Sequence, residues 1–413
     1  MKYLYVTTIS MTLDYFLKGV MADLAKAGNE VVAVSSPGPW MAGVRETEGV
    51  KVIEVQMERR ISPLKDLRSL WRLFRTIRSE KPDIVHSFTP KAGLLAMLAS
   101  MAAGIKVRIH TFTGLVFPAA SGLKRRLLMA TDSLTCACAT DIIAEGQGVR
   151  GDMLSAGITK KDVRVLCYGN IRGVDLDWYD RTPEVLELAE SHKVPGTFTF
   201  LFVGRVVRDK GITELVTAFE SLQAGQGLHS AETAADKTGP GDHLPGQGSK
   251  RGNTGPSPAA TKPVRLVIVG PFENDVDPLP EETRRKIAGN PAIMTTGEIV
   301  GKELLSWYAA ADCFVLPSYR EGFPNTVLEA GAMGLPSIVT DINGSREIVS
   351  DGINGLVVPA KDPDTLRKAM AQMLEDRDFR VKAAAVSRGM IATRFDQSLV
   401  RQSLFDFYSS LGN

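Results

Sequence analysis

The chain has 413 residues, 44% of them hydrophobic, enough for two domains with cores of their own, and its net charge of +2 gives no reason to expect a nucleic-acid partner. Four cysteines (136, 138, 167 and 313) are too few for a disulfide framework. Cys136 and Cys138, separated by a single residue, lack the spacing of a zinc site, so a reducing cytosol and no metal are expected.

The first residues, MKYLYVTT, read as a short buried strand and not as a signal peptide. Similar apolar runs follow at 31–35, 52–55, 84–87, 108–112 and 141–144, with helical patterns between them, for example at 12–26 and 64–80. The longest apolar run, 92–105, is shorter than the roughly 20 residues a membrane-spanning helix needs. Strand patterns restart at 198–203, 265–269, 292–295, 313–316, 337–339 and 356–358. A last helix, 397–411, carries Leu399, Leu404, Phe405, Phe407 and Tyr408. Strand–helix alternation of this kind predicts parallel sheets covered by helices on both faces, and the restart predicts two Rossmann-like units. The expected division is 1–175, 176–395 and a terminal helix at 396–413. Within the second unit, residues 224–262 are rich in Gly, Ser, Pro and Ala and read as a disordered insertion.

Parallel α/β folds bind ligands beyond the carboxyl ends of their strands. Two stretches have that placement. In FLFVGRVVRDKG (200–211), Gly204 allows close approach to the backbone, and Arg205 and Lys210 suit a diphosphate near a helix start. In PSYREGFPNTVLE (317–329), one carboxylate, Glu321, sits in a turn and a second, Glu329, in the helix that follows. Thr326 and Glu329 also fit a helix capping box, which explains Glu329 but not Glu321. Residues 146–151 spell G-x-G-x-x-G, but after the last strand of a unit, so they are expected to face the interdomain cleft and not to bind NAD. Four D-x-D pairs, at 175–177, 275–277, 362–364 and 376–378, read as composition.

Together, G-R-x4-K-G and E-G-F-x5-E resemble the signature of the retaining GT-B glycosyltransferases of glycosyltransferase family 4. Segments at 89–104, 123–128, 172–176, 296–318 and 351–359 agree with that family in order. The resemblance implies the α/β GT-B fold, with two Rossmann-like domains facing a central cleft and the C-terminal helix packing back toward the first. It further implies transfer of a hexosyl residue from a nucleotide sugar, most simply UDP-linked, to a glycan or polyprenyl-diphosphate-linked acceptor, as in bacterial cell-surface polysaccharide synthesis. By the same resemblance Glu321 holds sugar hydroxyls, and the backbone near Phe323, Asn325 and Thr326 lines the sugar pocket. Glu329 takes the ribose, Arg205 and Lys210 clamp the diphosphate beside Gly204, and the backbone around Ile299 holds the base. With cations on the diphosphate, neither a metal nor another cofactor is expected.

Three positions depart from the family pattern. The loop 7–12 (TTISMT) has no glycine, although its hydroxyls suit an acceptor or phosphate. Thr113, before Gly114, stands where the family has His, and His110 is expected to be structural. Arg172 stands where Asn is common. The alternatives are a nucleotide-sugar epimerase of the same architecture and a non-catalytic nucleotide-sugar-binding protein.

Charge is unevenly spread: residues 1–175 hold 24 Lys+Arg against 16 Asp+Glu, and the remainder holds 25 against 31. In the helical pattern 64–81, Lys65, Arg68, Arg72 and Arg75 fall on one face and Leu67, Leu70, Trp71, Phe74 and Ile77 on the other, expected to be packed on the sheet. With Lys124, Arg125 and Arg126, the cationic face predicts peripheral contact of a cytoplasmic enzyme with the anionic inner face of the cell membrane.

Overall fold

A computed structural model describes residues 1–58, 61–235, 262–273, 275 and 277–411, without the side chains of 226–235. The first sheet contains β1 (Lys2–Val6), β2 (Glu30–Ser35), β3 (Lys51–Glu54), β4 (Ile84–Phe88), β5 (Val107–Phe112), β6 (Asp141–Ala144) and β7 (Val163–Arg164). All pair in parallel, in the order β3-β2-β1-β4-β5-β6-β7. The second contains β8 (Phe198–Val203), β9 (Val264–Val269), β10 (Ile293–Gly297), β11 (Cys313–Leu316), β12 (Ser337–Thr340) and β13 (Gly355–Val358). Its order is β10-β9-β8-β11-β12-β13, again parallel. Both are doubly wound, so each has a switch point where the strand order reverses, between β1 and β4 and between β8 and β11. The stretches after β8 and β11 are those that carry Gly204 and Glu321.

Central strands such as FTFLFV of β8 are buried along their whole length, as expected where helices cover both faces. One core fills the second domain, around Phe200, Phe202, Phe314 and Leu328. Two cores lie on opposite faces of the first sheet, around Leu4 and Val85 and around Tyr5 and Ile84. The second of these includes Leu404, Phe407 and Tyr408 from the last helix, Gln397–Ser410. That helix returns to the first domain, where the Tyr408 hydroxyl lies 2.8 Å from the Tyr5 hydroxyl and 2.6 Å from His86 Nδ1. Leu399, on the same helix, is exposed.

Three expected elements differ in detail. The pattern at 12–26 is two helices, Ser10–Leu17 and Val20–Lys26, broken at Gly19, which takes a left-handed φ of 77°. The Glu48 carboxylate accepts from the amides of Gly19 and Ala22 at 2.6 and 3.0 Å and so caps the second helix from another part of the chain. In the helix Pro63–Glu80 the buried residues are Ser69, Leu73 and Ile77, whereas Leu67 and Trp71 are exposed beside the arginines. An 18-residue helix turned only a narrow stripe to its neighbours and left those two outside. Residues 224–235, expected to open a disordered loop, continue the helix that begins at Ile212. Extending an existing helix avoids the cost of nucleation, and the stretch is rich in Ala. The rest of that expected insertion, from 236 to 261, lies outside the described residues.

Candidate active site

Lys210 and Glu321 meet at the switch point of the second sheet. Lys210 ends a short 3-10 turn, and Gly211 follows with a φ of 70°, packed so closely under the Pro317 carbonyl that a Cβ would strike it. Only glycine suits both that φ and that gap, so the turn carrying Lys210 is locked to the segment carrying Glu321. The Lys210 ammonium pairs with Glu321 Oε1, and Ser318 Oγ donates to the same oxygen at 2.7 Å. Both side chains are mostly buried, with 15% and 14% of their surfaces exposed. A buried carboxylate held by a cation and a hydroxyl presents its remaining lone pairs in fixed directions, which is what recognition of sugar hydroxyls requires.

The first domain closes on this cluster. A Cβ on Gly322 would strike the Thr113 carbonyl and lie 3.0 Å from Glu145 Oε2, and a Cβ on Gly114 would lie 3.3 Å from Gly322 Cα. The expected pair Thr113–Gly114 therefore sits directly against the residue after Glu321. Nearby, Gln147 and Gly148 donate backbone N–H groups to Glu347 of the second domain at 2.6 and 3.0 Å. These amides open the helix Gln147–Ser155, whose N-terminal partial charge favours the carboxylate. The glycine-rich run at 146–151 thus faces the cleft, as expected, and its anionic partner is a side chain. A cavity of about 820 Å3 adjoins Glu321 between the domains, with Leu115 and Asp152 on one wall and Arg208, Asn343 and Arg346 on the other.

Other expected site residues lie elsewhere. Arg205 is half exposed and paired with Glu273 Oε2 at 2.8 Å, while the Gly204 carbonyl is packed against Gly270. Ile299, just after β10, is partly buried on the second-domain core. Phe323 packs its ring on Phe395, 5.4 Å between centroids, leaving only its backbone for a ligand. Asn325 is buried and its Oδ1 accepts from Asn170 Nδ2 at 2.9 Å; Thr326 is half-buried in the same first helical turn. Glu329, 4% exposed, is engaged at both oxygens: Oε1 by Arg172 at 2.8 Å and Oε2 by the Tyr308 hydroxyl at 3.1 Å. Arg172 also donates to the Tyr15 hydroxyl at 3.0 Å and lies 4.1 Å over that ring. Tyr15 belongs to the first domain, so Arg172 joins it to the helix of Glu329.

The hydroxyls of the 7–12 loop are turned inward. Thr7 Oγ1 lies 3.0 Å from the Ile9 carbonyl and 3.1 Å from Ser35 Oγ, and Thr8 Oγ1 lies 2.7 Å from Thr89 Oγ1. His110 is structural: its Nδ1 lies 2.9 Å from Ser87 Oγ, and burial pushes its pKa down to about 3, keeping it neutral. Among the described residues no group of three or more His, Cys, Asp or Glu side chains could hold a metal ion. Sequence reasoning passed over Glu145, Tyr15, Ser318 and Glu347. Glu145 directly follows β6 and precedes the glycine run, so its strand-end placement was a usable signal.

Two family models match: "Glycosyl transferase 4-like domain" over residues 15–169 and "Glycosyl transferases group 1" over 257–376, one on each side of the cleft. The chain belongs to the family-4-like glycosyltransferases. This glycosyltransferase is 25% identical to the capsular polysaccharide biosynthesis glycosyltransferase CapM of Staphylococcus aureus, over 99% of its own length and 97% of CapM. It is also 25% identical to the Escherichia coli UDP-Gal:α-D-GlcNAc-diphosphoundecaprenol α-1,3-galactosyltransferase, over 78% of the chain and 74% of that enzyme. Its fold matches that of Anabaena Alr3699/HepE in complex with UDP and glucose, at 18% identity and a TM-score of 0.75, over 99% of this chain and all of HepE. An enzyme of sugar transfer is thereby favoured over the epimerase and sensor alternatives.

Proposed function

We propose that this glycosyltransferase moves a hexosyl group from a UDP-sugar, with retention of configuration, to a polyprenyl-diphosphate-linked acceptor at the cytoplasmic face of the membrane. The observation that carries the reading is the Lys210–Glu321–Ser318 cluster at a strand switch point, faced across the cleft by Thr113 and Gly114. Glu321 is the sugar contact, and Lys210, with Arg205 once it leaves Glu273, meets the diphosphate and stabilises it as the leaving group. Glu329 would receive ribose hydroxyls by sharing its carboxylate with Arg172. Among the site residues none stands as a free, ionised nucleophile, which supports a front-face transfer in which the leaving phosphate accepts the acceptor's proton. The diphosphoundecaprenol-linked acceptor named for the E. coli relative supports the acceptor class. The test is transfer from UDP-hexoses to a short polyprenyl-diphosphate sugar, with the anomeric configuration read by NMR. An inverted product sinks the retaining reading, and turnover only with soluble glycans sinks the lipid-linked one.

Membrane contact has support in the surface of the first domain. Leu64 and Leu123 are 86% and 82% exposed, and Leu67, Trp71 and Leu127 are exposed too, interleaved with Lys65, Arg68, Arg72, Lys124, Arg125 and Arg126. These residues belong to the helices Pro63–Glu80 and Gly122–Cys138, which flank the helix Pro90–Ala102. Lys91 and Asp66, 2.8 Å apart, tie the starts of two of these helices together. Helices that cross over between parallel strands begin at the carboxyl edge of the sheet, the edge that bears Thr113, so the patch borders the cleft. Each Lys or Arg near an anionic bilayer contributes about 1 kcal/mol, and Leu and Trp side chains add apolar burial. Among the described residues no helix is long and apolar enough to cross a membrane. Co-sedimentation should rise with the phosphatidylglycerol content of vesicles, fall with salt, and vanish on charge reversal at Arg68, Arg72, Arg125 and Arg126. Equal binding to neutral and anionic vesicles would overturn the electrostatic reading.

A further inference from the structure

Glu145 is a carboxyl buried where burial is expensive. It is 2% exposed, its Oε1 has no hydrogen-bond partner among the described residues, and its Oε2 reaches across the domain boundary to Gly322. Its backbone is fixed on both sides: the amide donates to the Phe112 carbonyl at 3.0 Å, and its own carbonyl accepts from Asn170 at 2.6 Å. The side chain is therefore held in the cleft by the end of β6 and by the segment that leads out of the first domain. An unpaired buried polar group is costly to desolvate, and a charged one more so. Among the described residues none pairs with that oxygen, so a ligand entering the cleft is the natural source of its partner.

We propose that Glu145 is a donor-sugar-binding residue, its unpaired carboxyl taking a hydroxyl of the hexose that Glu321 holds. The inference rests on the donor site assigned above. Its Oε2 lies close to Gly322, the residue after Glu321, so the two carboxyls, one from each domain, border the same part of the cleft. A hexose that engages both completes its contacts only when the domains close, which couples recognition of the sugar to closure.

The charges around Glu145 set its protonation. Burial, then the carboxylates of Glu321 and Glu347, push its pKa well above the usual carboxylate range. Glu321 is itself paired with Lys210, Glu347 is bound to the amides of Gln147 and Gly148, and Tyr15 is the other titratable group in its field. Held as a neutral acid, Glu145 both donates and accepts hydrogen bonds, and it is not a nucleophile. Glutamine has the same shape and the same two capacities, so it should substitute.

Titration calorimetry on the full chain with UDP, UDP-glucose and UDP-galactose tests this, comparing wild type with Glu145→Ala and Glu145→Gln. UDP affinity should agree within about twofold in all three proteins. The better-bound UDP-sugar should lose about tenfold or more in Glu145→Ala and recover to within about threefold in Glu145→Gln. Should the Ala variant not fold, Glu145→Asp, whose arm is one methylene shorter, is read the same way. An unchanged ratio of UDP-sugar to UDP affinity in Glu145→Ala would overturn the proposal and leave a carboxyl that merely shares the field of Glu321. Failure of wild type to bind UDP or either UDP-sugar would instead overturn the donor site, and this inference with it.

Discussion

Replacing Arg172 by alanine should destabilise this enzyme strongly. Arg172 and Glu329 are 18% and 5% exposed at their side chains and 2.8 Å apart. Removing the guanidinium leaves the Glu329 carboxylate buried beside the Tyr308 and Tyr179 hydroxyls without its cation. Breaking a buried ion pair from one side costs about 3–5 kcal/mol. For a domain of this size each kcal/mol lowers Tm by about 2–4 °C, so the variant should melt about 6–20 °C below wild type by scanning fluorimetry. The double variant Arg172→Ala, Glu329→Gln removes the stranded charge and should recover much of that loss, giving a coupling energy well above 1 kcal/mol. If Glu329 receives ribose hydroxyls, saturating UDP supplies it with new partners and should raise the Tm of Arg172→Ala by more than it raises that of wild type. A drop of less than about 2 °C, or a double variant no more stable than the single, would refute the account of the pair. Equal stabilisation by UDP in both proteins would remove Glu329 from the ribose.

Lys210→Ala and Glu321→Ala should each lower kcat/KM at least about tenfold, since charge-assisted hydrogen bonds contribute roughly 1.5–3 kcal/mol; steady-state kinetics with the donor varied are the check. Gly322→Ala places a methyl against the Thr113 carbonyl and should cut turnover about tenfold or more by holding the domains apart, with UDP affinity by calorimetry unchanged. Asp132 is buried in the helix Gly122–Cys138, and burial raises its pKa to about 7. Because the native state holds this proton more tightly than the unfolded chain, the group's contribution is most favourable below about pH 4 and is lost as pH rises to about 7. Asp132→Asn should therefore raise Tm at pH 8 and give little gain near pH 4.5.

Much of the architecture was legible because parallel strands covered on both faces leave unbroken apolar runs, and those of β5, β8 and β11 stand out from their surroundings. β7 escaped notice because two residues make no pattern. The break at Gly19 depends on Glu48, a residue remote in sequence, and no local rule announces such a cap. Periodicity in 64–81 separated charge from hydrocarbon correctly but could not say which hydrocarbon meets a neighbour, and so Trp71 was placed inside. At the candidate site, Lys210 and Glu321 could be singled out because each lies in a compact motif beside a strand end, and the fold brings the two together. Tyr15, Glu145 and Arg172 come from three separate stretches, and only the closure of two domains brings them to Glu329 and Glu321.

The last helix gives the chain an unusual order of completion. The backbone crosses between the domains twice, side by side: the Val174 amide donates to the Phe395 carbonyl at 2.8 Å and the Gln397 amide to the Val174 carbonyl at 2.9 Å. Beyond that crossing, Leu404, Phe407 and Tyr408 become part of the core around Tyr5 and Ile84. On the ribosome the first domain is thus begun first and completed only after the second, its seam uncovered until the helix Gln397–Ser410 has been made and has cleared the exit tunnel. A frameshift or nick near residue 396 would harm the domain farthest from it in sequence, while the second sheet, whole by then, would keep its shape.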